Sequence, residues 1–457
     1  MDAKKLYLER ERIYTDLYNN VIPERFPVQD SVSWNFMLDY AKKDPIKVQF
    51  KPSTEELIEI VEKNLEILRG DNQPPCGGMS PIASALKQAR QSVMNSRGLF
   101  QHPELSYMDP EEYDAFIENP FDYFLENLTP RISTAYAYGA PARTIYYGMA
   151  SLASADNARM TGAANAYIKE KYGYWSAPAG ASAPQFVPFD LIADHIRGFS
   201  KITVDIRRCG QKVIDACNAL LPFTIWAGKN PVQTTVGSNM IATHMAAFLS
   251  TKDFEKYYWP TFKAVCHKGA ERGQAMFIII EENWDRYMDY LEELPIGTRF
   301  AVELGDPELY KERLGKNMIL TGFYRVDNFR LKTKEQCIDE AKRLIDILAP
   351  GGNYYFGLNK SALVGGDIIP ENYVATLEYV KEHNKYDNAG QPVNPGVTRL
   401  DNVVHYDIPE LKSKYIIPFE EFIADYPLPD DEEVYETVKE AYYKYRSMNN
   451  LAFLPGI

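Results

Sequence analysis

Ala275-Met276-Phe277-Ile278-Ile279-Ile280, closed by Glu281-Glu282-Asn283-Trp284, is the stretch on which the fold of this chain turns. The apolar run is too short for a typical helix and rich in β-formers. Being continuous rather than alternating, it predicts a strand covered on both faces, as in a parallel sheet. The acids and the amide fall at its carboxyl end, where α/β barrels place their chemistry. Just upstream, Phe262, Val265, Cys266 and Gly269 share one face of a helix predicted over 262–272. Downstream the pattern repeats. A helix over 286–294 precedes a strand, Arg299-Phe300-Ala301-Val302-Glu303-Leu304, closed by Gly305-Asp306. Next come a helix over 309–314 and a strand over 317–320, ending at Thr321-Gly322-Phe323. This rhythm predicts an α/β fold, a (β/α)8 TIM barrel.

Composition suits that architecture. The chain has 457 residues, 45% hydrophobic and 25% charged, which is ordinary for a globular protein. A net charge of −13 argues against nucleic acid and anionic membrane surfaces as partners, and against a large polyanionic substrate. The 32 tyrosines suit a pocket for a flat ligand, although packing between helices is their commoner use. Cys76, Cys209, Cys217, Cys266 and Cys337 form no CxxC and no framework spacing, which fits a reducing cytoplasm. Met1-Asp2-Ala3-Lys4-Lys5 opens directly into a charged helix, and no apolar run approaches a membrane span, so a soluble cytoplasmic protein is expected. Neither a P-loop nor a GxGxxG supports nucleotide binding.

Three segments are expected: an N-terminal helix over 1–24, the barrel over 25–385 with helical additions in its first half, and a C-terminal extension over 386–457. Pro23-Glu24-Arg25-Phe26-Pro27-Val28 leads into the first strand, and Ser53-Thr54-Glu55-Glu56 starts a helix reaching Leu68. A further helix is predicted from Asp109 towards Leu128, whereas 132–189 reads only as rich in Ala, Gly, Tyr and Ser, with a flexible stretch at Ala177-Pro178-Ala179-Gly180-Ala181. From Pro188 the rhythm is regular. Phe189-Asp190-Leu191-Ile192 opens a helix, another covers 212–221, and an apolar pair lies close to His244. A helix over 334–348 is followed by the strand Asn353-Tyr354-Tyr355-Phe356-Gly357-Leu358, and a last helix runs from Pro370 to Glu382. The Pro- and Tyr-rich tail, with a helix over 431–448, is expected to pack on a partner subunit, as in a homodimer.

Several of these segments resemble the uroporphyrinogen decarboxylase-like superfamily. The run Phe254-Glu255-Lys256-Tyr257-Tyr258-Trp259-Pro260-Thr261-Phe262-Lys263 is similar to that family's helix before a strand. So are the strand ending in Glu281, the Leu320-Thr321-Gly322 strand end and Lys334-Glu335-Gln336-Cys337 opening a helix. Gly351-Gly352-Asn353-Tyr354-Tyr355-Phe356 with Ile369-Pro370-Glu371-Asn372-Tyr373 resembles its last unit. The likeness covers about residues 185–385. It implies a (β/α)8 barrel and either decarboxylation of an octacarboxylate tetrapyrrole or methyl transfer among small molecules, thiols and corrinoid proteins.

The decarboxylases carry Arg-Gln-x-x-x-Arg near the amino terminus. Here that region reads Ser33-Trp34-Asn35-Phe36-Met37-Leu38-Asp39-Tyr40, without arginine, and buried carboxylates left unpaired cost several kcal/mol each. The thiol-activating methyltransferases carry His-x-Cys where Glu281-Glu282-Asn283 stands, and a cysteine near Asn359-Lys360-Ser361. Both cysteines are missing, and with them the thiolate ligands of a thiol-activating zinc. What remains resembles the corrinoid-linked methyltransferase subgroup, whose strand ends in a glutamate. The resemblance implies a methyltransferase acting on a small ether, amine or betaine, with the corrinoid carried by a partner protein. A decarboxylase-like lyase acting on another carboxylate, or a non-catalytic ligand-binding barrel, is the alternative.

Glu281, ending a buried strand, is the first candidate catalytic residue, since a buried acid is costly unless it binds something; an ion pair with Arg286 or Arg325 is its structural alternative. His244 and Asp306 join it as catalytic candidates at barrel-top positions. Asn283, Tyr324, Asn359, His195 and Arg197 are candidates for substrate binding. Zinc, if bound, would take Glu281 and His244.

Overall fold

The structure is a computed structural model that describes residues 2–451. Five parallel strands stand side by side in chain order: Ser182–Pro184, Ser238–Thr243, Met276–Asn283, Arg299–Leu304 and Ile319–Gly322. Parallel neighbours need a crossover on one face of the sheet. Helices Gly210–Ala227, Trp259–Glu271 and Pro307–Leu314 lie in three of those connections. The molecule is thus of mixed α/β class. Among the described residues no helix is long and apolar enough to cross a membrane.

Isolated parallel bridges extend the pairing. Leu320 lies opposite Tyr354, Tyr324 opposite Leu358, Val28 opposite Phe356, Val32 opposite Ala362, and Asn72 opposite Trp175. Backbone bonds support them: Phe356 donates to the Pro27 carbonyl at 2.9 Å, and Asp71 to that of Val28 at 2.7 Å. The predicted strand over 353–358 is present only as these bridges, and it joins the same sheet as 276–280 through Leu320.

Burial along the strands departs from the reading of 275–280 as equally covered on both sides. Met276, Ile278 and Ile280 are fully buried, whereas Phe277, Ile279 and Glu281 are only partly so. In the neighbouring strand Ile241 and Thr243 are buried, while Met240 is 42% exposed. Met240 pairs with Phe277 and Ala242 with Ile279, so the two half-open sets lie on one face. An apolar run shows that side chains are apolar, not that both faces are filled.

The first half holds the largest departure from expectation. Residues 140–172, within the stretch read only as rich in Ala, Gly, Tyr and Ser, form one 33-residue helix, Ala140–Tyr172, about 50 Å long. Its buried residues are only Ala150, Ala164 and Ile168, so the apolar periodicity that signals a helix is missing. It ends at Gly173, at φ +65°, where an added Cβ would meet the Ala3 carbonyl oxygen at 2.3 Å. The helix predicted from Asp109 to Leu128 is broken into Tyr113–Glu118, Pro120–Tyr123 and the π-turn Phe124–Leu128.

Helix Ala3–Tyr18 stacks Tyr14 on Trp175 at 3.8 Å and places Tyr18 against the Arg299 guanidinium, 3.4 Å from the ring centre. Lys334–Leu348 begins where expected, with Thr333 and Gln336 forming a capping box. The tail packs on its own chain: Arg399 donates to Asn353 Oδ1 at 2.6 Å, and Val404 N to His267 Nδ1 at 3.0 Å. His267 is thereby fixed away from the strand ends.

Candidate functional site

The site is assembled from a helix entry and two strand ends. Pro188 begins the turn Pro188–Asp190, which runs into a π-helical segment, Leu191–Arg197, ended by Gly198 at φ +85°. The wider π spacing is a recurrent feature of functional positions, and here it carries Asp194 and His195. Asp190 sits just before it, 5% exposed. Its carboxylate accepts from the Met245 N–H at 3.0 Å and from the Tyr258 hydroxyl at 2.6 Å.

His244 follows strand Ser238–Thr243 and stands between two carboxyls. Its Nδ1 is 3.7 Å from Asp194 Oδ2, and its Nε2 is 3.8 Å from Glu281 Oε1. Both distances exceed hydrogen-bonding range but couple the charges.

Glu281 is aimed by an irregularity in its own strand. Ile280 pairs with Val302 and Asn283 with Leu304, so Glu281 and Glu282 stand against Glu303 alone, which makes a β-bulge at Glu281-Glu282. Glu282 adopts φ +58° and its N–H donates to Glu303 Oε2 at 3.0 Å, while Glu303 pairs with Lys360. Glu281 has neither arginine as partner: Arg286 donates to the Ala247 and Leu249 carbonyls, and Arg325 pairs with Asp327.

Beside the cluster opens a cavity of about 530 Å³, lined by His102, Glu104, Asp190, Asp194, His195 and His244 and by apolar groups that include Phe186, Phe199, Leu191 and Met240. No Lys or Arg lines it. Nor does a tyrosine; Tyr113, Tyr136, Tyr258, Tyr287, Tyr310, Tyr324, Tyr354 and Tyr373 are fully buried in the core, so tyrosine abundance here is packing.

Burial and crowding set the protonation states. Burial, reinforced by Asp190, pushes the Asp194 carboxyl up to about 7. Burial likewise raises Asp190 against the opposing pull of His244, and raises Glu281 against the same imidazole. For His244 burial acts downward, but Asp194, Asp190 and Glu281 outweigh it and hold the imidazole above its ordinary value. His195 goes the other way. Burial, with His102 and His244 nearby, lowers it to about 4, so it is neutral at physiological pH. The arrangement therefore holds exchangeable protons near neutrality beside an apolar wall.

Of the residues expected from sequence, Glu281, His244 and His195 come together here. The others are placed elsewhere. Asp306 caps helix Pro307–Leu314, accepting from Glu308 N at 3.0 Å. Asn283 closes a turn with Asp285. Asn359 accepts from Val326 N at 3.0 Å and donates to the Glu303 carbonyl at 3.3 Å. Tyr324 is fully buried, stacked on Phe329, and donates to the Cys337 carbonyl. Arg197, 2% exposed, is held by Asp205 at 2.6 Å and by the Met108 carbonyl.

Sequence reasoning missed the roles of Asp190 and Asp194. Their i, i+4 spacing beside His195 was the available signal.

As for a metal, His244 and Glu281 face each other, but no group of three or more His, Cys, Asp or Glu side chains able to hold a metal occurs among the described residues. Cys76, Cys217, Cys266 and Cys337 are buried. The donor set among the described residues does not fit a zinc centre.

No family model matches the chain, and no curated protein does. Solved structures do match it, among them a methyltransferase from Methanosarcina mazei, with 12% sequence identity, coverage of 82% of this chain and 98% of that one, and a TM-score of 0.49.

Proposed function

We propose that this protein transfers a methyl group from a small methylated compound, bound in the cavity beside His244, to the corrinoid of a partner protein. The observation that carries the reading is His244, held between Asp194 and Glu281, on the wall of a cavity that Phe186, Phe199, Leu191 and Met240 also line. The sequence resemblance over 185–385 points to the same chemistry.

Fold and site fit together on this reading. If residues 174–184 are one interrupted strand, the parallel pairings run from Asn72 and Trp175 through the five-stranded sheet to Tyr354 and on to Phe356 opposite Val28, and the backbone bond from Asp71 N–H to the Val28 carbonyl links the two ends. That circuit supports an eight-stranded barrel over 25–385, preceded by the helix in 1–24 and followed by the extension from 386. His244 and Glu281 then stand at the carboxyl ends of neighbouring barrel strands.

Methyl transfer breaks the bond between the methyl carbon and its oxygen, nitrogen or sulfur, and the electron pair stays on that leaving atom. The reduced corrinoid of the partner supplies the nucleophile. This chain must manage charge on the leaving atom. Either a proton from His244 or Asp194 neutralises a basic leaving atom, or the ionised carboxyls hold a donor that is already positive. Phe186, Phe199 and Leu191 hold the methyl-bearing part and exclude water. A carboxylate-bearing substrate finds no Lys or Arg on the cavity wall, which weighs against a decarboxylase.

The test is a methyl-transfer assay with reduced cobalamin, followed by its absorbance change, across methyl ethers, methylamines and betaines. At least one donor class should be demethylated. Failure of every class would favour a ligand-binding role instead.

A further inference from the structure

Asp190, Asp194 and Glu104 line the cavity with the imidazole of His244, which Glu281 faces from outside the lining. Glu104 is held in its ionised form by the Ser200 backbone N–H, which donates to it at 2.7 Å. His244 offsets part of this acid surplus, but no Lys or Arg lines the wall and His195 is neutral. The His195 ring is half-buried, lines the cavity, and has no side-chain hydrogen bond among the described residues; Phe186 lies edge-on to it at 6.2 Å. Phe186 and Phe199 complete the lining, and aromatic faces attract cations.

Resting on the methyl-transfer reading above, we propose that the compound taken by this cavity is a small organic cation with methyl groups on its charged atom, a methylated ammonium or sulfonium without a carboxylate. Such a donor supplies the positive charge that His244 alone does not. The step also balances without a proton donor. The bond between the methyl carbon and nitrogen or sulfur breaks, its pair returns to that atom, and a neutral amine or sulfide leaves. The methyl carbon bonds to the nucleophile on the partner's reduced corrinoid. The carboxyls hold the cation and His195 stays neutral, while Phe186 and Phe199 face the methyl groups.

Titration calorimetry on the full chain at pH 8 tests this with choline, its neutral isostere 3,3-dimethyl-1-butanol, and glycine betaine. Choline should bind at least tenfold more tightly than either. Asp194→Asn should weaken choline about tenfold and leave the isostere unchanged. Equal affinity for choline and the isostere, or no binding of choline to the unaltered protein, overturns the proposal, as does betaine binding as tightly as choline. The methyl-transfer assay separates the two levels. Demethylation of ethers but not of ammonium or sulfonium compounds refutes the cationic donor and leaves methyl transfer standing. Choline bound with no donor demethylated refutes methyl transfer and leaves the cation site.

Discussion

Nε2 of His244 faces Oε1 of Glu281 at 3.8 Å across the ends of two neighbouring parallel strands. Neither group reaches the other as a hydrogen bond, so what joins them is charge. The β-bulge at Glu281 and the exit of the chain after Thr243 bring the two into range from separate strands.

That coupling has a direct readout. Burial alone would lower the His244 imidazole, and the surrounding carboxyls, Asp194 foremost, raise it. Replacing Glu281 by Gln should lower the titration midpoint of His244, read by NMR of the ring carbons. An unchanged midpoint would mean that Glu281 does not face the imidazole in solution.

Asp194 carries a stability cost whose sign is fixed. Its carboxyl stands at about 7 in the folded chain against an ordinary 3.8. Between those values the unfolded chain has released the proton and the folded chain keeps it, so stability falls as pH rises. Asp194→Asn should therefore be close to neutral at pH 4 and stabilising by on the order of 2 kcal/mol at pH 8. Urea melts at the two pH values check this; equal effects at both would contradict it.

Arg197 is a structural residue by its contacts. It is buried with Asp205, and Tyr113 donates to the same carboxylate at 3.0 Å. Arg197→Ala leaves that carboxylate unpaired and should cost about 3–5 kcal/mol. A change below about 1 kcal/mol in denaturant midpoint analysis would be incompatible with the pair.

These contrasts show what the sequence could carry. The strand Arg299–Leu304 and the helices Lys334–Leu348 and Pro370–Glu382 were legible to the residue, because each has clear periodicity or caps. Ala140–Tyr172 was not, because Ile145 and Leu152 lie 61% and 71% exposed and no apolar stripe marks a core. In the site, Glu281 and His244 were readable as polar groups ending apolar strands. Asp190 and Asp194 were hidden on a helix entry, where an acid ordinarily signals only a cap. Tyr324 and Arg197 looked like strand-end and loop groups, yet both turn into the core, and side-chain direction in such segments is set by packing that no local pattern records.

Tyr258 supports the cluster from behind. Its hydroxyl donates to Asp190 Oδ2 at 2.6 Å, and both groups are buried. Tyr258→Phe should destabilise the protein by on the order of 2 kcal/mol, since a buried carboxyl acceptor loses its donor. A thermal midpoint unchanged from the parent would show that the bond contributes nothing.

The central claim is that methyl transfer takes place at His244 and Glu281. Its most direct test is single-turnover transfer of a ¹³C-methyl group from donor to reduced cobalamin, comparing the unaltered protein with His244→Gln and Glu281→Gln, all three shown folded by circular dichroism. The account predicts methylated cobalamin from the unaltered protein and a rate at least about 100-fold lower in both variants. Transfer at the parent rate in either variant would contradict it.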